Sequence, residues 1–106
     1  MIPRKTIEEL ISKHSLLEKD LSSVNIDKKL FAEKSKEYSD LNEVIIDAKK
    51  YLSFDKDKTE LEKILNDQNS DKEFLKMAET ELRELESQFK KNEKKLKLFL
   101  LPKDEA

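Results

Sequence analysis

Apolar residues recur along this chain at spacings of three and four, the period that gathers side chains on one face of an α-helix. Ile7, Leu10, Leu17 and Leu21 follow it, and Ile11 widens the stripe. Thr6 with Glu9 has the form of a capping box just after Pro3, so a first helix is expected over about 6–22. Ser22, Ser23 and Asn25 interrupt the pattern, and Asp27 stands where it would cap a second helix. Phe31, Tyr38, Leu41, Ile45, Ala48 and Leu52 carry that second stripe over about 27–53, a rod of about 40 Å. Ser53 to Asp57 reads as a break, after which Leu61, Ile64 and Leu65 define a short third helix. Ser70 with Glu73 forms a second capping box, and Leu75, Ala78, Leu82, Leu85, Phe89, Leu96 and Phe99 then alternate strictly, with Asn92 in the remaining slot.

These are heptads. They predict an all-α fold over residues 1–99: an elongated antiparallel helical bundle with coiled-coil-like packing, three long helices and one short. The same seams serve packing within a chain and between chains, so the pattern leaves oligomeric state open.

Composition narrows the chemistry. The 106 residues suffice for one domain and hold no glycine, no cysteine and one histidine. Disulfides, thiol nucleophiles, Gly-rich phosphate loops and His-clustered metal sites are therefore excluded, and tight glycine hairpins are disfavoured. No cofactor is expected. Charged residues reach 43% against 36% hydrophobic, yet the net charge is only −2, as on a solvated helix surface with interspersed signs. No apolar run approaches the roughly 20 residues of a membrane span, and no secretory leader is evident, so a cytoplasmic chain without a membrane partner is expected.

Three seam positions are polar: His14, Lys34 and Asn92. If the first two helices fold back around residue 24, His14 and Lys34 fall at one height, and an antiparallel fourth helix adds Asn92. One reading is a buried polar layer that fixes register; the other is that these side chains sit at the stripe's edge, with Lys34 snorkelling. A catalytic His14 would need a partner and a water-excluding pocket, which a narrow bundle scarcely provides. Glu79, Glu81, Glu84 and Glu86 fall mainly off the seam, where Glu79 can meet Arg83 and Glu86 can meet Lys90 at i to i+4 spacing.

Charge is divided along the fourth helix. Asp71 to Phe89 holds six acidic and three basic residues, net −3, whereas Lys90 to Lys97 holds five lysines against Glu93, net +4. Lysines near a helix C-terminus complement the macrodipole. The functional reading makes Lys90, Lys91, Lys94 and Lys95 candidate phosphate contacts for RNA. Lysine outnumbers arginine 20 to 2, so few planar forks are present for specific base or phosphate recognition.

The chain then runs through "KLKLFLLPKDEA", Lys95 to Ala106, and this ending does not look like that of an independent domain. Together with "SKEYSDL" (Ser35 to Leu41) and "DKEFLKMAETELRELE" (Asp71 to Glu86), it closely resembles the N-terminal domain of bacterial class I peptide chain release factors, the UAA- and UAG-reading type. The resemblance covers nearly the whole chain. It implies that residues 100–106 lead toward a second domain, with Leu100, Leu101, Pro102, Lys103 and Asp104 as the connector. In that family a tripeptide of the second domain reads the stop codon and a Gly-Gly-Gln loop of the third releases the peptide. A chain without glycine contains no Gly-Gly-Gln, so the expectation is a non-enzyme with no small-molecule substrate. The family's first domain projects toward the stalk base of the large ribosomal subunit and is implicated in meeting the recycling GTPase release factor. Ribosome, that GTPase and rRNA are the implied partners in translation termination. The competing readings are a free-standing coiled-coil adaptor or scaffold, for which "LFLLP" would be a dimer interface, and a helical RNA-binding arm.

Overall fold

The computed structural model describes residues 1–23 and 25–102. It consists of α1 (Arg4–Leu21), α2 (Lys28–Asn42), α3 (Ile45–Leu65) and α4 (Lys72–Leu100), with no strand among the described residues. The expected all-α bundle is thus what forms.

Two antiparallel hairpins make up the bundle. Cross-links between α1 and α2 run in opposite chain directions: Lys34 Nζ lies 2.6 Å from Asp20, the Tyr38 hydroxyl donates to Glu18 at 3.0 Å, and His14 reaches Asn42 at 2.9 Å. Between α3 and α4 the same reversal joins Asp47 to Lys95 at 3.0 Å and Lys58 to Glu86 at 3.7 Å. α1 also packs on α3, whereas α2 touches α3 only slightly and does not pack on α4. The molecule measures 61 × 37 × 20 Å, and its radius of gyration of 18.7 Å exceeds the roughly 13 Å of a round domain this size.

One core joins the hairpins. Ile7 of α1, Ala48 and Tyr51 of α3, and Leu96 of α4 pack with Ile2 and Val44, and Leu10, Ile11, Leu52, Phe89 and Phe99 close around them. Ile7, Ala48 and Leu96 are fully buried. Burying each large aliphatic side chain here stabilises by roughly 1.5–3 kcal/mol. The Phe89 ring stacks between Tyr51 and Phe54, at centroid distances of 4.7 and 4.0 Å, and so continues the core down the α3–α4 seam.

Helix boundaries depart from the periodicity in two places. The stripe over 27–53 is not one helix: α2 ends at Asn42, and Glu43 and Val44 bond back to Asp40 and Leu41 in a tight turn. Val44, at φ −118° and ψ 0°, turns into the core and α3 starts after it. Conversely, Ser53 to Asp57 does not break the chain, because Tyr51, Phe54, Leu61 and Leu65 continue the three-and-four spacing with Lys58 in the missing slot. The expected short third helix is therefore the second half of the 21-residue α3, and α2, with 15 residues, is the shortest.

The caps are partly as expected. Asp27 accepts from the Leu30 N–H at 3.4 Å. Thr6 does not cap α1, which starts two residues earlier with Pro3 as N-cap and the Pro3 carbonyl accepting from Thr6 at 3.1 Å. The earlier start follows from Ile2, which is buried and whose N–H donates to the Tyr51 hydroxyl at 3.1 Å. Ser70 donates to the Ile64 carbonyl at 3.4 Å and thus finishes α3; Asp71 is the N-cap residue of α4.

The Tyr51 hydroxyl in turn donates to Glu93 at 3.2 Å. Burial raises the Tyr51 pKa above 10; the Ile2 N–H opposes this and the Glu93 hydrogen bond and charge add to it. Tyr38 is raised chiefly by its hydrogen bond to Glu18.

Truncating the joint between the hairpins, by Ile7→Ala or Leu96→Ala, is expected to cost about 2–5 kcal/mol in urea unfolding; a loss below about 1 kcal/mol would show that the core is not formed by these residues. Both tyrosines have folded-state pKa values above the unfolded one. Their bonds therefore contribute fully below about pH 10 and are lost as pH rises through the folded values. Phenolate absorbance should accordingly rise later in the native chain than in urea, with one of two native transitions missing in Tyr51→Phe.

Candidate interaction surface

The lysine-rich end of α4 stands on the side of the helix away from the core. Lys94 lies two residues from both Asn92 and Leu96, which are buried, so at about 100° per residue it points to solvent. Lys90, Lys94 and Lys97 share a shallow groove of about 270 Å³ with Glu93, Leu98 and Leu101. Lys91 and Lys95 are exposed on the next stripe round, and Lys95 is tied to Asp47 of α3. Of the four candidate contacts, the fold thus brings Lys90 and Lys94 together and leaves Lys95 partly neutralised. It also adds what the charge pattern alone did not show: Leu98 and Leu101, 61% and 59% exposed, sit among the lysines.

The residues expected to form a connector begin inside the helix. Leu100 is the last residue of α4, and Leu101 adopts an extended conformation, φ −67° and ψ 145°, as the residue before Pro102 must. Phe99 packs on the core, so only Leu98, Leu100 and Leu101 of the apolar ending are left toward solvent. Lys103 and Asp104 lie outside the described residues.

The polar seam residues form no common layer. His14 Nε2 bonds to Asn42 and its ring stacks on Tyr38 at 4.7 Å, Lys34 pairs with Asp20, and Asn92 accepts from Gln88 Nε2 at 3.0 Å. The physical reason is the break at Glu43 and Val44, which ends α2 before it could lie along α4, together with a hairpin centred nearer residue 28 than 24. Asn92 is nevertheless buried, at 3% exposure.

The carboxylates divide between the two sides of the α3–α4 seam. Glu86 pairs with Lys58 of α3 rather than with Lys90, and the Lys58 Nζ stands 5.8 Å from the centre of the Phe54 ring. Across the seam, Glu81 and Glu84 of α4 face Asp57 and Glu60 of α3 over Leu61, Ile64 and Leu85, around an open groove of about 610 Å³. Among the described residues, no group of three or more His, Asp or Glu side chains is placed to hold a metal ion. Asp57 and Glu60 escaped the periodicity because the Ser53 to Asp57 stretch reads as a loop; Phe54 and Leu61, seven residues apart, were the signal that it is not.

Among the described residues, no helix is long and apolar enough to cross a membrane. The PCRF domain family matches residues 10–106. Over all 106 residues the chain is 71% identical to Peptide chain release factor 1 of Pelagibacter ubique (strain HTCC1062), and it spans 30% of that protein's length. No solved structure matches the chain.

Asn92 occupies an apolar slot with one side-chain partner, and that partner, Gln88, is exposed and can return to water. Asn92→Leu is therefore expected to stabilise the chain by about 1 kcal/mol and raise its thermal midpoint. A lowered midpoint would show that the buried amide contributes more than the lost apolar contact.

Proposed function

The chain belongs to the PCRF domain family, and from that premise we propose that it serves translation termination as the N-terminal ribosome- and factor-facing module of a peptide chain release factor. The likeness along its full length to a release factor of known name carries this reading. Stop-codon recognition and peptide release belong, on this reading, to parts of the protein beyond this chain, which itself acts in the cytoplasm without catalysis or cofactor. Leu100 to Asp104 serve as the connector to those parts. The exposed Leu98 and Leu101 are then a face for a neighbour rather than a defect.

An elongated bundle suits such a role because it carries a surface some tens of Å from its point of attachment without needing a pocket. The surface offered to the ribosome is the outer side of α4, where Lys90, Lys91 and Lys94 contact rRNA near the large-subunit stalk base and the neighbouring length of the bundle meets the recycling GTPase.

Fluorescence anisotropy of the labelled chain with purified large ribosomal subunits tests this. Three phosphate contacts predict binding that weakens about 30-fold between about 50 and 200 mM salt, and Lys90→Glu/Lys91→Glu/Lys94→Glu should both weaken it and flatten that dependence. Absence of binding at low salt, or binding indifferent to salt and to the triple variant, would overturn the assignment.

A further inference from the structure

The open side of the α3–α4 seam is unlike the rest of the surface. Its floor is apolar: Leu61, Ile64 and Leu85 are each only partly covered, because α1 packs higher on α3 and α2 does not reach α4. Its rim carries one sign of charge. Asp57 and Glu60 stand on one helix and Glu81 and Glu84 on the other, with no lysine or arginine lining the groove. Two-helix seams are ordinarily flanked by opposite charges that pair across them, as Lys58 and Glu86 do on the far side of this same seam. Like charges facing one another raise the energy of the hairpin, and a cationic occupant would relieve that repulsion.

The groove also has the proportions of a helix site. It adjoins a smaller cavity of about 190 Å³ that shares Asp57, Leu85 and Gln88 and is closed by Lys50, Phe54, Phe89 and Asn92, so the purely acidic rim belongs to the larger groove and a single lysine marks the far end. From Glu81 to Asn92 this is about 17 Å of α4, some three turns. In a bundle, the next helix would lie here.

We propose that this groove docks a basic amphipathic helix of a partner protein, its apolar stripe on Leu61, Ile64 and Leu85 and its lysines or arginines against Asp57, Glu60, Glu81 and Glu84. Charge complementarity selects that occupant: nucleic acid is repelled by the rim, and an acidic or neutral helix leaves the four carboxylates uncompensated. The surface is separate from the lysines of α4, and the inference does not require them.

The test is a titration of the ¹⁵N-labelled chain with a leucine–lysine amphipathic peptide of about 15 residues, long enough to hold a helix. Amide shifts are expected to concentrate at residues 57–64 and 81–88. Glu81→Lys/Glu84→Lys should weaken the interaction at least about tenfold with unchanged circular dichroism, and Glu60→Lys on the opposite wall should weaken it independently; a leucine–glutamate peptide should not bind. The proposal fails if shifts scatter over all acidic surfaces, or if the charge-reversed variants bind as well as the parent. It fails equally if a short single-stranded RNA shifts the same amides, or if those amides move with chain concentration alone, which would make a second copy the occupant.

Discussion

The arrangement depends on one buried contact among three helices. Ile7 of α1, Ala48 of α3 and Leu96 of α4 belong to one buried cluster, and all three are sealed from water. Ala48 is small enough to let α1 approach α3 closely, which is why the first hairpin can attach to the second through α1 while α2 stays outside. Everything peripheral follows from this joint. The Ile2 N–H, Tyr51 and Glu93 are brought into one chain of hydrogen bonds beside it, and the Tyr51–Phe89–Phe54 stack extends it down the seam.

Because the joint lies toward one end of α4, the bundle presents unlike surfaces along its length. The C-terminal part of α4 offers lysines and two leucines to solvent, whereas the lower α3–α4 arm, beyond the cover of α1, shows an apolar seam rimmed with carboxylates. The charge division visible along α4 thus becomes a division in space. Polar groups near the seams are consumed internally: His14 by Asn42 and Tyr38, Lys34 by Asp20, and Asn92 by Gln88. What such a molecule can do is hold surfaces at fixed separations, which is the use a docking module has for it.

Much of this was legible in the heptads. The all-α class, the long fourth helix and the burial of Ala78 and Leu96 follow from spacing alone, because α4 keeps one face to its neighbour for 29 residues. The turn at Glu43 and Val44 was not legible, since neither residue is a helix breaker and the apolar stripe passes through them; only the pull of Val44 into the three-helix core explains it. Ser53 to Asp57 misled in the opposite sense. Ser53 bonds to the Lys50 carbonyl and to Asp57 within the helix, so its turn-forming character is absorbed locally. That one misreading also hid Asp57 and Glu60, half of the acidic rim. The lysines and the apolar ending were both visible in the sequence, and the strict seam through Leu96 and Phe99 leaves Leu98 off it; what the spacing did not show is that Leu98 and Leu101 share one groove with Lys90, Lys94 and Lys97.

Small-angle X-ray scattering of the chain in solution tests the central claim most directly, since it reads whether one core locks the two hairpins into a single elongated body. Locked hairpins predict a radius of gyration close to the 18.7 Å of the Cα trace and a longest dimension near 61 Å, both independent of concentration. A radius several Å larger with a broad tail of distances would mean hairpins that hinge freely, and a value near the roughly 13 Å of a round domain would mean a different packing altogether.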